Sequence, residues 1–310
     1  VKEYRSAAEY HAERPCVLTI GTFDGVHIGH RTILELLVSK ARENNLDSAL
    51  LTFFPHPRMV LQKESGIRLL NTLDEKRQQL EAIGLDQLIV QPFTKEFSRL
   101  TAREYVEEVL VGQLQAKMII IGYDHRFGKH RSADIEDLKR FGKEYHFEVV
   151  EIDAQRISDV AVSSTKIRNA LHEGDVETAN QYLGYPYPLK GTIVRGRGIG
   201  DSKLNYPTAN LQVNEDYKLI PSNGVYVVRA RIDDELVFGI TNVGTNPTVG
   251  GETTTIETHF LDLRRDLYNM EVNLEFLKFI RREKRFDSLE DLKMAIAEDE
   301  RFARNFLTNG

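Results

Sequence analysis

The chain has 310 residues, 41% of them hydrophobic and 28% charged, with a formal charge of −6 at neutral pH. That is the composition of a soluble globular protein, long enough for one large domain or two ordinary ones. No window approaches the roughly 18 consecutive apolar residues of a membrane span, which excludes a transporter or pump, and the negative balance argues against a general nucleic-acid binder.

The opening Val1-Lys-Glu-Tyr-Arg-Ser has no apolar signal-peptide core, and a lone cysteine, Cys16, cannot form an internal disulfide. Both fit a protein of the reducing cytoplasm with no membrane partner. An oligomer is compatible with the sequence but not indicated by it.

An apolar run at Val17–Ile20 leads into Gly21-Thr-Phe23-Asp24-Gly25-Val-His27-Ile-Gly29-His30 and then a helical pattern of Ile33, Leu34, Leu37, Val38 and Ala41. This predicts a strand feeding a helix through a tight turn, with two imidazoles on the first helical turn. A helix N-terminus offers unpaired N–H groups and partial positive charge, a natural phosphate site. Gly21, Gly25 and Gly29 let a ligand approach the backbone, and His27 and His30 share a helix face. Two surface histidines or a zinc pair are the competing readings, but no third ligand of suitable spacing lies nearby.

Further apolar runs at 49–54, 87–90, 118–121 and 147–152 alternate with helical patterns centred on 31–44, 74–83, 101–111 and 132–145. Such alternation predicts a Rossmann-like α/β domain with a parallel sheet covered on both faces. Gly21–His30, Pro55-His56-Pro57-Arg58 and Gly122-Tyr-Asp124-His-Arg126-Phe127-Gly128 each follow a predicted strand. They are expected to converge on one crevice at the carboxyl ends. Val162-Ser163-Ser164-Thr165-Lys166-Ile167-Arg168 gathers hydroxyls and cations at another helix start, a second phosphate element rather than only an ordinary cap.

The pattern breaks at Gly184-Tyr-Pro186-Tyr-Pro188, where two prolines disfavour helix. A boundary between domains 1–185 and 186–310 is expected there. Segments 189–195, 207–212, 224–231, 236–242, 254–262 and 270–281 then read as closely spaced strands, and 288–307 as an amphipathic closing helix. That predicts a small six-stranded antiparallel β-barrel. Within it, Thr208 and Asn210 of Tyr206-Pro-Thr208-Ala-Asn210 fall on one side of a strand, the oxygen donors a magnesium ion needs beside nucleotide phosphates. Downstream, Glu257 of Glu257-Thr-His259 is placed to take a proton from an attacking alcohol; a solvated face carboxylate is the alternative.

The joint occurrence of Gly21–His30, Val162–Arg168 and Pro207-Thr-Ala-Asn210, in this order, resembles the bifunctional riboflavin kinase/FMN adenylyltransferase (FAD synthetase) family over nearly the whole chain. Gly224-Val-Tyr226, Asn242-Val-Gly244, Asn246-Pro-Thr248 and Ile280-Arg281-x-Glu283-x-x-Phe286 also fit it. The resemblance implies an HxGH nucleotidyltransferase domain followed by a riboflavin kinase-like barrel. ATP is the co-substrate of both steps and Mg²⁺ the cofactor. Riboflavin, FMN, FAD, ADP and pyrophosphate are the other small molecules handled. It implies His27, His30 and Glu257 as catalytic residues. Gly21, Phe23, Asp24, Gly25, Gly29, Ser163, Ser164, Thr165, Arg168, Gly200 and Lys203 would bind ATP. His56, Asp124 and Arg126 would bind flavin, and Thr208 and Asn210 the metal.

Three departures stand out. His125 replaces an aromatic residue, Asp266-Leu-Tyr-Asn269 ends in Asn for Gly, and Gly200-Asp-Ser-Lys203-Leu-Asn205-Tyr206 changes the kinase nucleotide loop. The alternatives are an adenylyltransferase with an impaired kinase half, or a non-catalytic flavin- or nucleotide-binding regulator.

Overall fold

Strands β1 (Lys2–Tyr4), β2 (Cys16–Ile20), β3 (Asp47–Phe54), β4 (Gln87–Pro92), β5 (Ala116–Gly122) and β6 (Glu148–Ile152) pair in parallel in the order β1-β4-β3-β2-β5-β6. The structure, a computed structural model, describes residues 1–11, 13–62, 66–122, 125–152, 162–195, 206–248 and 251–309.

β2 is buried along its whole length, and successive side chains feed two separate cores because they alternate across the sheet. Leu18, Ala49, Leu51, Ile119 and Ile121 join Leu110 and Leu138 on one face. Val17, Leu50, Leu88, Met118 and Ile120 join Leu34, Leu37 and Leu80 on the other. The covering helices include α1 (Ile28–Glu43), the short α2 (Pro57–Leu61) and α3 (Leu73–Ile83). The doubly covered parallel sheet is the Rossmann-like architecture expected from the alternating pattern. Its strand order reverses beside β2, with β3 on one side and β5 on the other. Ligands of such sheets bind at the carboxyl ends beside that switch point.

The third helical pattern, at 101–111, is a turn at Ala102–Glu104 that continues as a π-helix over Tyr105–Gln113. Leu114 N–H donates to the Val109 carbonyl five residues back. β1 carries no apolar run to mark it in the sequence; its backbone pairing with β4 defines it.

The chain divides into two compact units, Val1–Ser163 and Ser164–Gly310. In the second, β7 (Tyr187–Val194), β8 (Ala209–Gln212), β9 (Gly224–Ile232), β10 (Glu235–Thr248), β11 (Gly251–Phe260) and β12 (Glu271–Arg281) close an antiparallel barrel in the order β10-β11-β8-β7-β12-β9. This is the expected six-stranded barrel. The helices Ser164–Glu173 and Val176–Leu183 pack in this unit. Asn180 Nδ2 donates to the Phe276 carbonyl at 2.8 Å, Ser222 N–H donates to the Leu171 carbonyl at 3.0 Å, and Lys278 pairs with Glu177.

Inside the barrel the Thr241 and Thr258 hydroxyls meet at 2.6 Å. Outside it, the terminal helix Leu289–Asn309 sets Ala303 against Val227 and Ile240.

Candidate active sites

The Gly21–His30 segment leaves the carboxyl end of β2 and delivers His27 to the N-cap position of α1. His27 Nδ1 accepts the backbone N–H of His30 at 3.3 Å. That acceptor role leaves the proton of the neutral ring on Nε2, free of the capping bond. The two imidazoles stack, with centroids 3.6 Å apart and planes 16° from parallel, and Phe23 lies 4.7 Å from His30. The helix starts at Ile28, so only His30 lies on its first turn; His27 caps it. Burial pulls the His27 imidazole down to about 4. It pulls His30 well below the ordinary histidine range too, assisted by His27 and by Lys76. Among the described residues, His30 Nδ1 is buried with no hydrogen-bond partner. Two neutral imidazoles at a helix N-terminus present hydrogen-bond donors to an anion without carrying charge themselves.

The loop beneath them is strained. Phe23 and Val26 sit at φ 43° and 36°, which costs of order 1–3 kcal/mol each, and Gly25 takes φ 89°. A Cβ on Gly21 would fall 2.9 Å from the Phe23 ring. On Gly29 it would lie 3.4 Å from the His27 ring, so close packing within the loop calls for these glycines as much as ligand approach does. Asp24 is 2% exposed and its carboxylate accepts the backbone N–H groups of Leu70, at 2.9 and 3.2 Å, and Asn71, at 3.3 Å. No pattern of residues marks that anchor, nor Lys76, whose buried ammonium donates to the Thr22 carbonyl at 2.7 Å.

His56 follows β3 and caps α2, its Nδ1 accepting Arg58 N–H at 3.1 Å. Arg126 is exposed on the segment after β5, and Asp124 lies outside the described residues. His125 stacks on Phe127 at 6.1 Å, so it supplies a flat ring where the family has an aromatic residue. From Phe127 a run of rings 5.7–6.1 Å apart passes through Tyr105 and Phe97 to Phe53 and Phe93. Phe53, Phe93 and Phe97 are half-buried, an apolar surface at the carboxyl ends of β3 and β4. Sequence reading missed it because its members are scattered over 75 residues, from Phe53 to Phe127.

Ser163 immediately precedes the helix Ser164–Glu173, which Ser164 and Thr165 open and Arg168 follows within a turn and a half. Ile167, Ala170 and Leu171 are its buried side. This start belongs to the unit that holds the barrel, and the histidine loop to the other.

On the barrel, Glu257 of β11 stands in register with Asn210 of β8 on one side and Asn242 of β10 on the other. Directly opposed residues of antiparallel strands project from the same face. The alternate residues Ile256, Thr258, Thr241, Val243 and Leu211 are buried, so the half-buried Asn242, Glu257 and Asn210 form a polar row outside the barrel. Thr208 is exposed just before β8, two residues from Asn210. His259 Nδ1–H donates to the Pro207 carbonyl at 2.9 Å and the ring meets Tyr206 edge-on at 5.1 Å, fixing the chain just before Thr208. Glu283 extends the row: its carboxylate accepts from Asn223 Nδ2 at 3.1 Å and lies where a Cβ on Gly244 would be, 2.3 Å away. Gly200 and Lys203 lie outside the described residues. The row offers hydroxyl, amide and carboxylate oxygens, the donor set of a hard divalent cation.

Residues 9–166 match the family described as FAD synthetase, and residues 183–307 the family described as riboflavin kinase. A bifunctional riboflavin kinase/FMN adenylyltransferase of Listeria monocytogenes is 37% identical over 94% of this chain and 92% of its own length. That of Escherichia coli K12 is 36% identical over the same shares. A crystal structure described as a macrolide-efflux protein from Streptococcus pneumoniae is 30% identical, covers 98% of each chain and gives a TM-score of 0.87.

Proposed function

The chain belongs to the bifunctional riboflavin kinase/FMN adenylyltransferase family, and on that premise we propose which residues carry each of its two reactions. It is a transferase that phosphorylates riboflavin to FMN with ATP and transfers AMP from ATP to FMN, releasing pyrophosphate. The pneumococcal structure carries an efflux description; among the described residues of this chain no helix is long and apolar enough to cross a membrane. The free, buried Cys16 supports a reducing compartment, and we assign the reaction to the cytoplasm.

For adenylyl transfer the carrying observation is the stacked His27–His30 pair at the N-terminus of α1. A phosphate oxygen of FMN attacks the α-phosphorus of ATP, and the bond to the bridging oxygen of pyrophosphate breaks. Neutral imidazole N–H groups and the helix start stabilise the charge gathering on the equatorial and leaving oxygens. Gly21, Phe23, Gly25 and Gly29 shape the loop, and Asp24 anchors it. Ser163, Ser164, Thr165 and Arg168 are assigned to phosphate by residue type and helix start. His56, Asp124 and Arg126 remain our flavin candidates, joined by the half-buried surface of Phe53, Phe93 and Phe97 for the ring system.

For the kinase step, Glu257 takes the proton of the riboflavin 5′-hydroxyl as that oxygen attacks the γ-phosphorus and ADP leaves. Thr208 and Asn210 would hold Mg²⁺ together with the nucleotide phosphates, whose charge the bound ion offsets. Asn242, opposite Glu257, orients the carboxylate or its substrate. Gly200 and Lys203 are assigned to ATP.

Replacing both His27 and His30 with Ala tests the first assignment. FAD formation from supplied FMN should fall at least a hundredfold while riboflavin phosphorylation persists; unchanged FAD formation removes the pair from the site.

A further inference from the structure

Lys76 is an unusual residue to find where it is. It lies on α3 four residues before the fully buried Leu80, so on the same helix face, and is only 5% exposed although it is a lysine. Its ammonium donates to the Thr22 carbonyl at 2.7 Å and meets the Thr52 hydroxyl at 3.5 Å. The Thr52 hydroxyl donates to the same Thr22 carbonyl at 3.2 Å. Two donors from two elements, α3 and β3, therefore converge on the one carbonyl that precedes Phe23, where the loop first enters positive φ. On the far side of Phe23, Asp24 is held by the Leu70 and Asn71 N–H groups.

A buried lysine placed only to fill space would cost its desolvation for nothing. Here it is compensated by the Thr22 carbonyl and by the charge of Asp24, which opposes the downward pull of burial on its ionisation. The loop between these two anchors has little choice. Its left-handed Phe23 and Val26 persist because the anchors over-determine them. His27 is the next residue, and the Lys76 charge also reaches His30.

We propose that Lys76, acting with Thr52, is a positioning residue for adenylyl transfer: it clamps the Thr22 carbonyl so that the Phe23–Val26 turn delivers His27 and His30 in their stacked arrangement. This rests on the assignment of the two histidines to the reacting phosphates. The clamp touches no phosphate itself. Its loss scatters the donors in the transition state more than it weakens the binding of FMN.

The test uses the full chain: the kinase step, carried by the other unit, controls for protein concentration, and a parental denaturant-unfolding transition of the first unit is required of each variant before its rates are read. In Lys76→Met, kcat for FAD formation from supplied FMN should fall at least tenfold. KM for FMN should change by less than about threefold, and riboflavin phosphorylation by less than twofold. The acid limb of the FAD-forming rate should move to higher pH, because the ammonium that disfavours protonated His30 is gone; the groups facing that ring are His27, Lys76 and Phe23. Lys76→Arg, which restores a cation and donor, should recover part of the rate. An unchanged kcat and acid limb in Lys76→Met would overturn the proposal. If that variant loses both activities together, Thr52→Val decides. It removes one donor to the same carbonyl without disturbing a charge, and it must show the same kcat-selective loss in milder form; a parental rate there overturns the clamp. His30→Ala run alongside separates the two layers: if it keeps full FAD formation, the histidine assignment itself fails, whatever Lys76→Met does.

Discussion

Glu257 and Asn210 are direct partners in the β11–β8 register, and Asn242 is the partner of Glu257 on the opposite flank. Three side chains that are 15 and 32 residues apart in sequence thus form one row on the outer barrel face, with the carboxylate in the middle. A carboxylate set between two amides has hydrogen-bonding groups on both flanks to orient it.

Asn242→Ala should lower the rate of riboflavin phosphorylation by about 10- to 100-fold, less than the 10²- to 10⁴-fold expected for loss of the base itself. FAD formation from added FMN should be unaffected. A kinase assay on this variant with saturating ATP checks it; a parental rate would leave Asn242 a bystander.

Asp24 is expected to act on stability before chemistry. Asp24→Ala strips the acceptor from two buried backbone N–H groups, at Leu70 and Asn71, and should cost about 2–4 kcal/mol. Denaturant unfolding of the first unit's transition measures this. A loss of ATP affinity with undiminished stability would instead make Asp24 a direct ligand contact.

Much of this was legible in the sequence, for reasons that differ from place to place. The runs at 17–20, 49–54 and 118–121 stand out because a parallel strand covered on both faces must be apolar throughout. The histidine loop announces itself by glycines beside imidazoles. Lys76 does not, because a lysine on an amphipathic helix reads as solvated; only the approach of the Thr22 carbonyl makes its burial tolerable. Asn242 was visible as part of a motif, but its place beside Glu257 follows from strand register, which the sequence leaves open. The capping role of His27 was likewise hidden, since His at an N-cap is not among the usual Ser, Thr, Asp and Asn. The π-helix over Tyr105–Gln113 has the same apolar spacing as an α-helix over so short a stretch.

The buried imidazoles make stability depend on pH. His27 in the folded chain titrates near 4, against an ordinary value of 6.5. Below pH 6.5 the unfolded chain takes up the proton while the folded one does not, so stability falls as pH drops from 6.5 towards 4. The shift corresponds to about 3 kcal/mol by the lower end of that window. His30, lowered for the same reason, acts in the same direction. Melting temperatures between pH 7 and 5 should decline, and His27→Gln should flatten part of that decline. An equal slope in parent and variant would contradict the assignment.

Chelation separates the metal's role from the fold. EDTA in excess over Mg²⁺ should abolish riboflavin phosphorylation, and added Mg²⁺ should restore it, with Thr208→Ala raising the concentration required. Phosphorylation that persists at full rate under chelation would remove the metal assignment from Thr208 and Asn210.

The most direct measurement is a chromatographic time course of flavins in the parent and in Glu257→Gln, each given ATP and Mg²⁺ with either riboflavin or FMN. The parent should show FMN appearing before FAD. The variant should leave riboflavin untouched and convert FMN to FAD at the parental rate. FAD formed from riboflavin at an undiminished rate in Glu257→Gln, or no turnover of FMN by the parent, would contradict the division of the two reactions between Glu257 and the paired histidines.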